Sequence, residues 1–518
     1  MRTLEPILPG LFRHTHPVTG VNTYVLDTDV GRVLIDPAAD VTPALTGAVT
    51  DIFITHLQAE NAAGCLNYPA ARVHVPAGDE YLCCGPAAVA KLNTNWQSPW
   101  DWSTLGNYTG NMSGAPNERP LPRPVALAES LHPGAIVCNL EVLATPGHGK
   151  NAVTLLTTVA GQRVAFCGDL LYGAGQLWNW FDLEWDYGAQ TGQQTLLASA
   201  QRLHHVNVAR FCPTHGPLAA DLPQLINRLQ AVLAPTDTDP WDEAQFTVPS
   251  QPAQVAGFRE LLPNLLQWTD CWGSCAVLLA RSGHALLVDD GLCQWLPLPE
   301  RAARHRQVMA DLKRTYHIPR IEMVIPTHYH GDHVENIPEI VATDGCEVVA
   351  LDVVADVLEH PDRYRLACLL PWYGTNYNAV AVDRRVSSGT RIQWRDYELE
   401  IFHLGGQTYY HAGIAVTVAN RRVLFTGDSL GFSPNPEPVL CYNDCEPTQR
   451  GWLYAIDRLI ERSPHLLVCG HGGAVRDPRP LLERKRRAWE RRIEQFHALS
   501  PRASLREFFD PFWTVGNS

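Results

Sequence analysis

Thr327-His328-Tyr329-His330-Gly331-Asp332-His333 crowds four side chains that can bind a metal into six consecutive residues. Apolar residues, Met323-Val324-Ile325, come before it and the helical stretch 334–340 comes after, so the run reads as a loop between a buried strand and a helix. In such a loop His328 and His330 alternate and can share one ion. Asp332 and His333 sit where the loop turns into the helix and can face a second. Imidazole combined with carboxylate suits zinc, iron or manganese, whereas calcium prefers cages made of oxygen alone. Gly331 supplies the backbone freedom that the tight turn requires. Two later strand ends complete the set: Asp428 as a carboxylate bridging both ions, and His471 as the closing ligand of the second.

The chain is written twice. Asn22-Thr23-Tyr24-Val25-Leu26 and Arg32-Val33-Leu34-Ile35-Asp36 recur as Ser274-Cys275-Ala276-Val277-Leu278 and Ala285-Leu286-Leu287-Val288-Asp289. Asp51-Ile52-Phe53-Ile54-Thr55-His56 recurs as Met323-Val324-Ile325-Pro326-Thr327-His328. Phe166-Cys167-Gly168-Asp169 matches Phe425-Thr426-Gly427-Asp428, and Pro213-Thr214-His215-Gly216 matches Cys469-Gly470-His471-Gly472. Glu141 to Asp169 and Glu400 to Asp428 both span 28 positions. Ordered matches at near-constant spacing predict a tandem repeat. The expected domains are residues 1–240 and 241–518, with 222–233 a closing helix and the Pro-rich stretches 234–240 and 248–252 a linker. Strands alternating with helical stretches predict layered α/β domains.

The bulk composition agrees with a large soluble protein. The 518 residues exceed one ordinary core, 45% are hydrophobic and 18% charged. A net charge of -13 argues against a nucleic-acid binder, and the arginines of 476–492 read as a solvated helix face. No stretch is apolar enough to span a membrane. The 14 cysteines, among them Cys271/Cys275 and Cys441/Cys445, read as ordinary thiols of a reducing compartment, which points to the cytoplasm.

The second-half pattern resembles the metallo-β-lactamase fold superfamily. His328-x-His330-x-Asp332-His333 is similar to its ligand loop, Asp428 to its bridging Asp, Gly470-His471-Gly472 to its last His, and Asp289 to its early buried Asp. The resemblance implies two tandem αβ/βα sandwich domains, the second with a dinuclear zinc site in which iron or manganese is an alternative. It implies hydrolysis by a metal-activated hydroxide, with Asp332 orienting the nucleophile. The substrate would be a small ester, lactone, thioester, amide or phosphoester. An iron-dependent redox member of the same fold is the alternative. No nucleic-acid or membrane partner is expected, and a homo-oligomer is open.

One ligand departs from the pattern. Where the family has a third His for the first ion, the gapless alignment puts Gln407, opposite His148. His411 is the favoured substitute, with Gln407 and His403 as alternatives. In the first copy the loop is eroded: Gln58 stands for His330, Glu60 for Asp332 and Asn61 for His333. His56, His148, Asp169 and His215 remain, with Glu60 beside them. They make either a mononuclear metal site or a relic that keeps the fold as a scaffold. Aromatic residues gather in the long segments nearby: Trp96, Trp100, Trp102, Tyr108, Trp178, Trp180 and Trp185 in the first copy, and Trp372, Tyr373 and Tyr377 in the second. They line a substrate pocket or serve as ordinary core.

Overall fold

The structure is a computed structural model. It describes residues 4–56, 58–80, 83, 123–183, 191–218, 221–234, 251–271, 273, 275–292, 296, 298–361, 379–430, 448–471 and 473–509. The chain forms two compact units: Met1–Ala234 joined by Glu494–Val515, and Pro235–Ile493. The helix Arg479–Leu499 therefore starts in the second unit and ends in the first, although the whole stretch 241–518 was expected in one domain.

In the first unit one sheet holds β1 (Glu5–Leu8), β2 (Leu11–Thr15), β3 (Asn22–Thr28), β4 (Gly31–Ile35), β5 (Asp51–Phe53), β6 (Arg72–Pro76) and β7 (Leu127–Leu131) in chain order. The pairs from β1 to β4 are antiparallel and those from β4 to β7 parallel. The second sheet holds β8 (Ile136–Val137), β9 (Leu140–Ala144), β10 (Val153–Val159), β11 (Gln162–Gly168) and β12 (Arg210–Pro213), antiparallel until β12 joins β11 in parallel.

Strand alternation explains the layers. Tyr24, Leu26, Val33, Ile35 and Phe53 pack with Leu140, Val142, Leu155 and Phe166 between the two sheets. Their neighbours Val25, Leu34, Ile52 and Ile54 point to the other face, where they meet Ala62, Cys65 and Tyr68. The middle of the first sheet is thus buried on both sides, and there Val33-Leu34-Ile35 and Ile52-Phe53-Ile54 are continuous apolar runs.

The second unit has β13 (Gln251–Pro252), β14 (Phe258–Leu262), β15 (Leu265–Trp268), β16 (Cys275–Leu279), β17 (Ala285–Val288), β18 (Ile321–Ile325), β19 (Glu347–Leu351) and β20 (Arg384–Val386) in one sheet. Its other sheet has β21 (Thr390–Trp394), β22 (Tyr397–His403), β23 (Ala412–Val418), β24 (Arg421–Gly427), β25 (Leu466–Cys469) and β26 (Ala474–Arg476). From β14 to β20 the pairing order and sense are those of β1 to β7. From β21 to β25 they are those of β8 to β12. Both units have the α/β class expected.

Local departures have local causes. Gln251-Pro252, read as linker, pairs with β14 at the sheet edge, where a proline's missing N–H costs nothing. The single helix expected over 334–340 is two: Gly331–Val334, then Ile337–Asp344 with a proline in its first turn. Between them, the buried carboxylate of Asp290 accepts the Asn336 backbone N–H at 2.6 Å. The basic helix is also more than a solvated face, because Lys485 and Arg492 are buried. Burial lowers the Arg492 guanidinium to about 10. The described cysteines, Cys271 and Cys275 included, form no disulfide, and Cys441 and Cys445 lie outside the described residues.

Candidate metal centre

Most of the sequence-predicted ligands stand just past the carboxyl end of a strand, whereas Asp332 and His333 lie on the helix Gly331–Val334 and His411 directly precedes β23. His328 follows β18, Asp428 follows β24 and His471 follows β25; in the first unit His56 follows β5, His148 follows β9, Asp169 follows β11 and His215 follows β12. In each unit these ends share one edge, where loops rather than the ladder set the side-chain directions.

In the second unit the donors form two groups. His328, His330 and Asp428 make one; Asp332, His333, Asp428 and His471 make the other, and within each group the donor atoms lie within 4.8 Å of one another. Asp428 belongs to both. Ligands about 2.0–2.1 Å from a tetrahedral ion stand about 3.3–3.4 Å apart. Here His471 Nε2 is 3.2 Å from Asp332 Oδ2 and 3.2 Å from Asp428 Oδ2, and His333 Nε2 is 3.2 Å from Asp428 Oδ1. His333 Nε2 to Asp332 Oδ2 is 3.6 Å, and His328 Nε2 to Asp428 Oδ2 is 3.7 Å. These spacings match the edges of metal polyhedra. His328 Nε2, His333 Nε2 and Asp428 Oδ1 are buried without a hydrogen-bond partner, so the donor set fits two ions.

Asp289 sets the imidazoles. Its Oδ1 accepts the Thr327 N–H at 2.7 Å and its Oδ2 the Thr327 hydroxyl at 2.8 Å. With that proton committed, Thr327 Oγ1 accepts from His328 Nδ1 at 3.0 Å. The same Oδ2 accepts from His333 Nδ1 at 2.9 Å. Both rings therefore commit Nδ1 as a donor and turn Nε2 toward the cluster, as metal ligation requires. The residue adopts φ 60°, a conformation open to Asp at modest cost.

The charges divide the two groups. Burial, with His411, His333 and His330 close by, holds His328 well below its usual range, and burial puts His330 at about 4. Burial opposes a charge on His471 as well, but Asp428 and Asp332 outweigh it and raise the ring to about 10. His333 is raised likewise by Asp428, Asp332 and Asp289. Against the effect of burial, His471 and His333 hold Asp428 well below the carboxylate range.

The favoured third ligand of the first group is not brought to it. The His411 ring stacks on His328 at 4.3 Å, but its Nε2 donates to the Thr426 carbonyl at 3.0 Å and its Nδ1 accepts from Thr408 Oγ1 at 3.3 Å. With both nitrogens so engaged, His411 supports His328 rather than joining it. His403 is turned away, donating to the Tyr409 carbonyl at 2.6 Å and accepting from the Tyr454 hydroxyl at 3.1 Å. Gln407 occupies the vacant place and donates its amide to Asp428 Oδ2 at 3.1 Å.

In the first unit His56, His148 and Asp169 come together. His215 does not enter that group. It leans on Asp169 instead, Nδ1 to Oδ2 at 2.8 Å, while its Nε2 faces Glu60 at 3.5 Å and its face stacks on Trp178 at 4.0 Å. Sequence reading missed Asp182, whose Oδ2 is 2.9 Å from His148 Nε2. The available signal was a carboxylate set in the apolar run Trp180-Phe181-Asp182-Leu183. Among the aromatics, Trp178 covers His215 and Trp180 packs on Phe496. Trp96, Trp100, Trp102, Tyr108, Trp185, Trp372, Tyr373 and Tyr377 lie outside the described residues.

Residues 270–471 match the family profile described as the metallo-beta-lactamase superfamily. The second unit belongs to that superfamily. Compared with curated proteins, the chain has no match. Solved structures that resemble it include a HARLDQ-motif mutant of a Cronobacter sakazakii metallo-beta-lactamase, at 16% identity and TM-score 0.37, covering 46% of this chain and 98% of that one. The subclass B3 enzyme BJP-1 of Bradyrhizobium japonicum aligns at 20% identity and TM-score 0.34, covering 48% and 97%. The class B3 di-zinc enzyme LRA-12 from an Alaskan soil metagenome aligns at 16% identity and TM-score 0.34, covering 51% and 97%. No helix among the described residues is long and apolar enough to cross a membrane.

Proposed function

We propose that this superfamily member is a metal-dependent hydrolase acting through its second unit, with two zinc-like ions sharing Asp428. The observation that carries the reading is the pair of donor groups joined at that one carboxylate. Ions bound there supply Lewis acidity: they lower the pKa of water and offset negative charge building on an attacked carbonyl or phosphoryl oxygen.

The chain's own part is positioning. His328 and His333 are fixed by the Asp289 relay, so the donors converge before any ion arrives. Asp332 is buried, with Oδ2 on His471 Nε2, and can hold or pass a proton at the mouth of the site. His471 is the ligand closest to solvent, its side chain 42% exposed, which marks the side from which a small substrate enters. In this reading the first unit is a second copy of the same domain, supported by the shared order and sense of its strands.

The test is metal analysis of full-length protein purified without added metal, followed by a panel of ester, lactone, thioester, phosphodiester and β-lactam substrates. A drop of two ions per chain from wild type to His328→Ala/Asp332→Ala, together with turnover of one substrate class abolished by the same change, is expected. An unaltered metal content in that double variant rules the reading out.

A further inference from the structure

We propose that the first unit holds one divalent transition-metal ion of its own, bound by His56 Nε2, His148 Nε2, Asp169 Oδ2 and Asp182 Oδ2. His56 and Asp169 match the second unit's ligands His328 and Asp428, while His148 stands where that unit has Gln407. Asp182 matches no ligand of that unit: it lies on the short turn Phe181–Leu183 and stands in for the imidazole lost when the loop position of His330 became Gln58.

Spacing supports it first. His56 Nε2 is 3.4 Å and His148 Nε2 3.5 Å from Asp169 Oδ2, close to the edge of about 3.3–3.4 Å expected around a tetrahedral zinc. Pre-orientation is the second point. Thr55 Oγ1 donates to Asp36 Oδ2 at 2.7 Å and so accepts from His56 Nδ1 at 2.9 Å. That leaves the His56 Nε2 lone pair aimed into the cluster, buried and with no hydrogen-bond partner. Asp182 is aimed as well: Asn179 Nδ2 donates to its Oδ2 at 2.7 Å, and Asn179 Oδ1 accepts its backbone N–H at 2.9 Å.

Charge is the third point. His148 is 6%, Asp169 3% and Asp182 2% exposed, and two buried carboxylates need a compensating cation. A divalent ion would displace the Gln58 amide, which donates to Asp182 Oδ2 at 3.2 Å and stands 2.8 Å from His148 Nε2.

A second ion has no comparable place. Asn61, where the other unit has His333, spends its side chain on the His56 carbonyl and the Gln58 N–H. His56, His148 and Asp169 already converge, and Asp182, 2.9 Å from His148 Nε2, would close the shell on an ion of the structural kind.

This inference is independent of the hydrolase reading, since every donor lies in the first unit. The test uses the full chain with the second-unit centre removed by His333→Ala/Asp428→Ala, titrated with cobalt(II). One ion per chain is expected, with the strong visible absorption of tetrahedral cobalt and a rise in the melting temperature. Adding Asp182→Asn weakens cobalt binding by about 10–100-fold. Should that variant not fold, Asn179→Ala keeps all four donors, removes the bond that aims Asp182, and weakens binding in the same direction. No cobalt bound in the parent background, or unchanged affinity in a folded Asp182→Asn or Asn179→Ala chain, overturns the proposal.

Discussion

Gln407 donates its side-chain amide to Asp428 Oδ2 at 3.1 Å, the same oxygen that His328 Nε2 faces at 3.7 Å. In the first unit His148 holds the matching place, with Nε2 3.5 Å from Asp169 Oδ2. An amide N–H repels a cation where an imidazole would bind it, so the His328 group has three donors and the His471 group four. On graded chelation the ion of the His328 group leaves first. Gln407→His supplies the missing imidazole and tightens that ion by about 10–100-fold, read as ions retained against a chelator series. Unchanged retention places the missing ligand elsewhere.

A Cβ on Gly470 would lie 2.2 Å from Asp428 Oδ1 and 2.9 Å from His333 Cε1, a collision with two ligands at once. The first unit has Thr214 at this position, and its hydroxyl donates to Asp36 Oδ2 at 2.5 Å. The space exists because Asn61 has replaced the His333 ring, so the two differences belong together. Gly470→Ala therefore displaces Asp428 and empties both groups of the second unit, whereas Thr214→Gly leaves second-unit metal intact. Metal per chain, measured on both variants alongside circular dichroism, separates loss of ligands from loss of fold.

How legible all this was in the sequence follows from where each residue sits. Strand order, the strand-end positions of the candidate ligands and the place of Asp428 among them depend on periodicity and spacing, which the sequence displays directly. His411 was misjudged because four residues of separation says nothing about which way a ring turns. Its carbonyl accepts the Leu404 and Gly405 N–H groups, and its ring is committed to Thr426. Asp182 was missed because no motif spacing governs it; its approach to His148 arises only when the turn after Asp169 folds back. Thr55 and Thr327 were visible in both copies, but their role as proton relays needs the three-dimensional direction of Asp36 and Asp289.

Asp289→Asn isolates the charge of the relay. Asn tolerates the left-handed backbone at φ 60° as Asp does, so the change adds little strain. What it removes is the carboxylate oxygen accepting from both Thr327 Oγ1 and His333 Nδ1. Second-unit metal affinity should fall by about 10–100-fold with the melting profile of the metal-free chain little changed. Equal affinity in the variant means that the tautomers are set by something other than Asp289.

Metal uptake by the two second-unit groups differs in its proton balance. In the metal-free chain His471 is raised to about 10, so at pH 7 it carries a proton that an incoming ion expels. His333, raised by the same carboxylates, behaves alike. His330, at about 4, and His328, held still lower than usual, are neutral at pH 7 and release nothing. Affinity in the His471 group therefore climbs with pH through the neutral range, while that of the His328 group is flat above about pH 5. Stability follows the same sign. The raised His471 imidazole stabilises the metal-free fold fully below the ordinary histidine value near 6.5, and that contribution is lost as pH rises through about 10. Calorimetric zinc titrations of a His56→Ala chain, which silences the first unit, in buffers of different ionisation heat should show proton release with the tighter ion and none with the weaker. Release of equal size from both ions contradicts this division of charge.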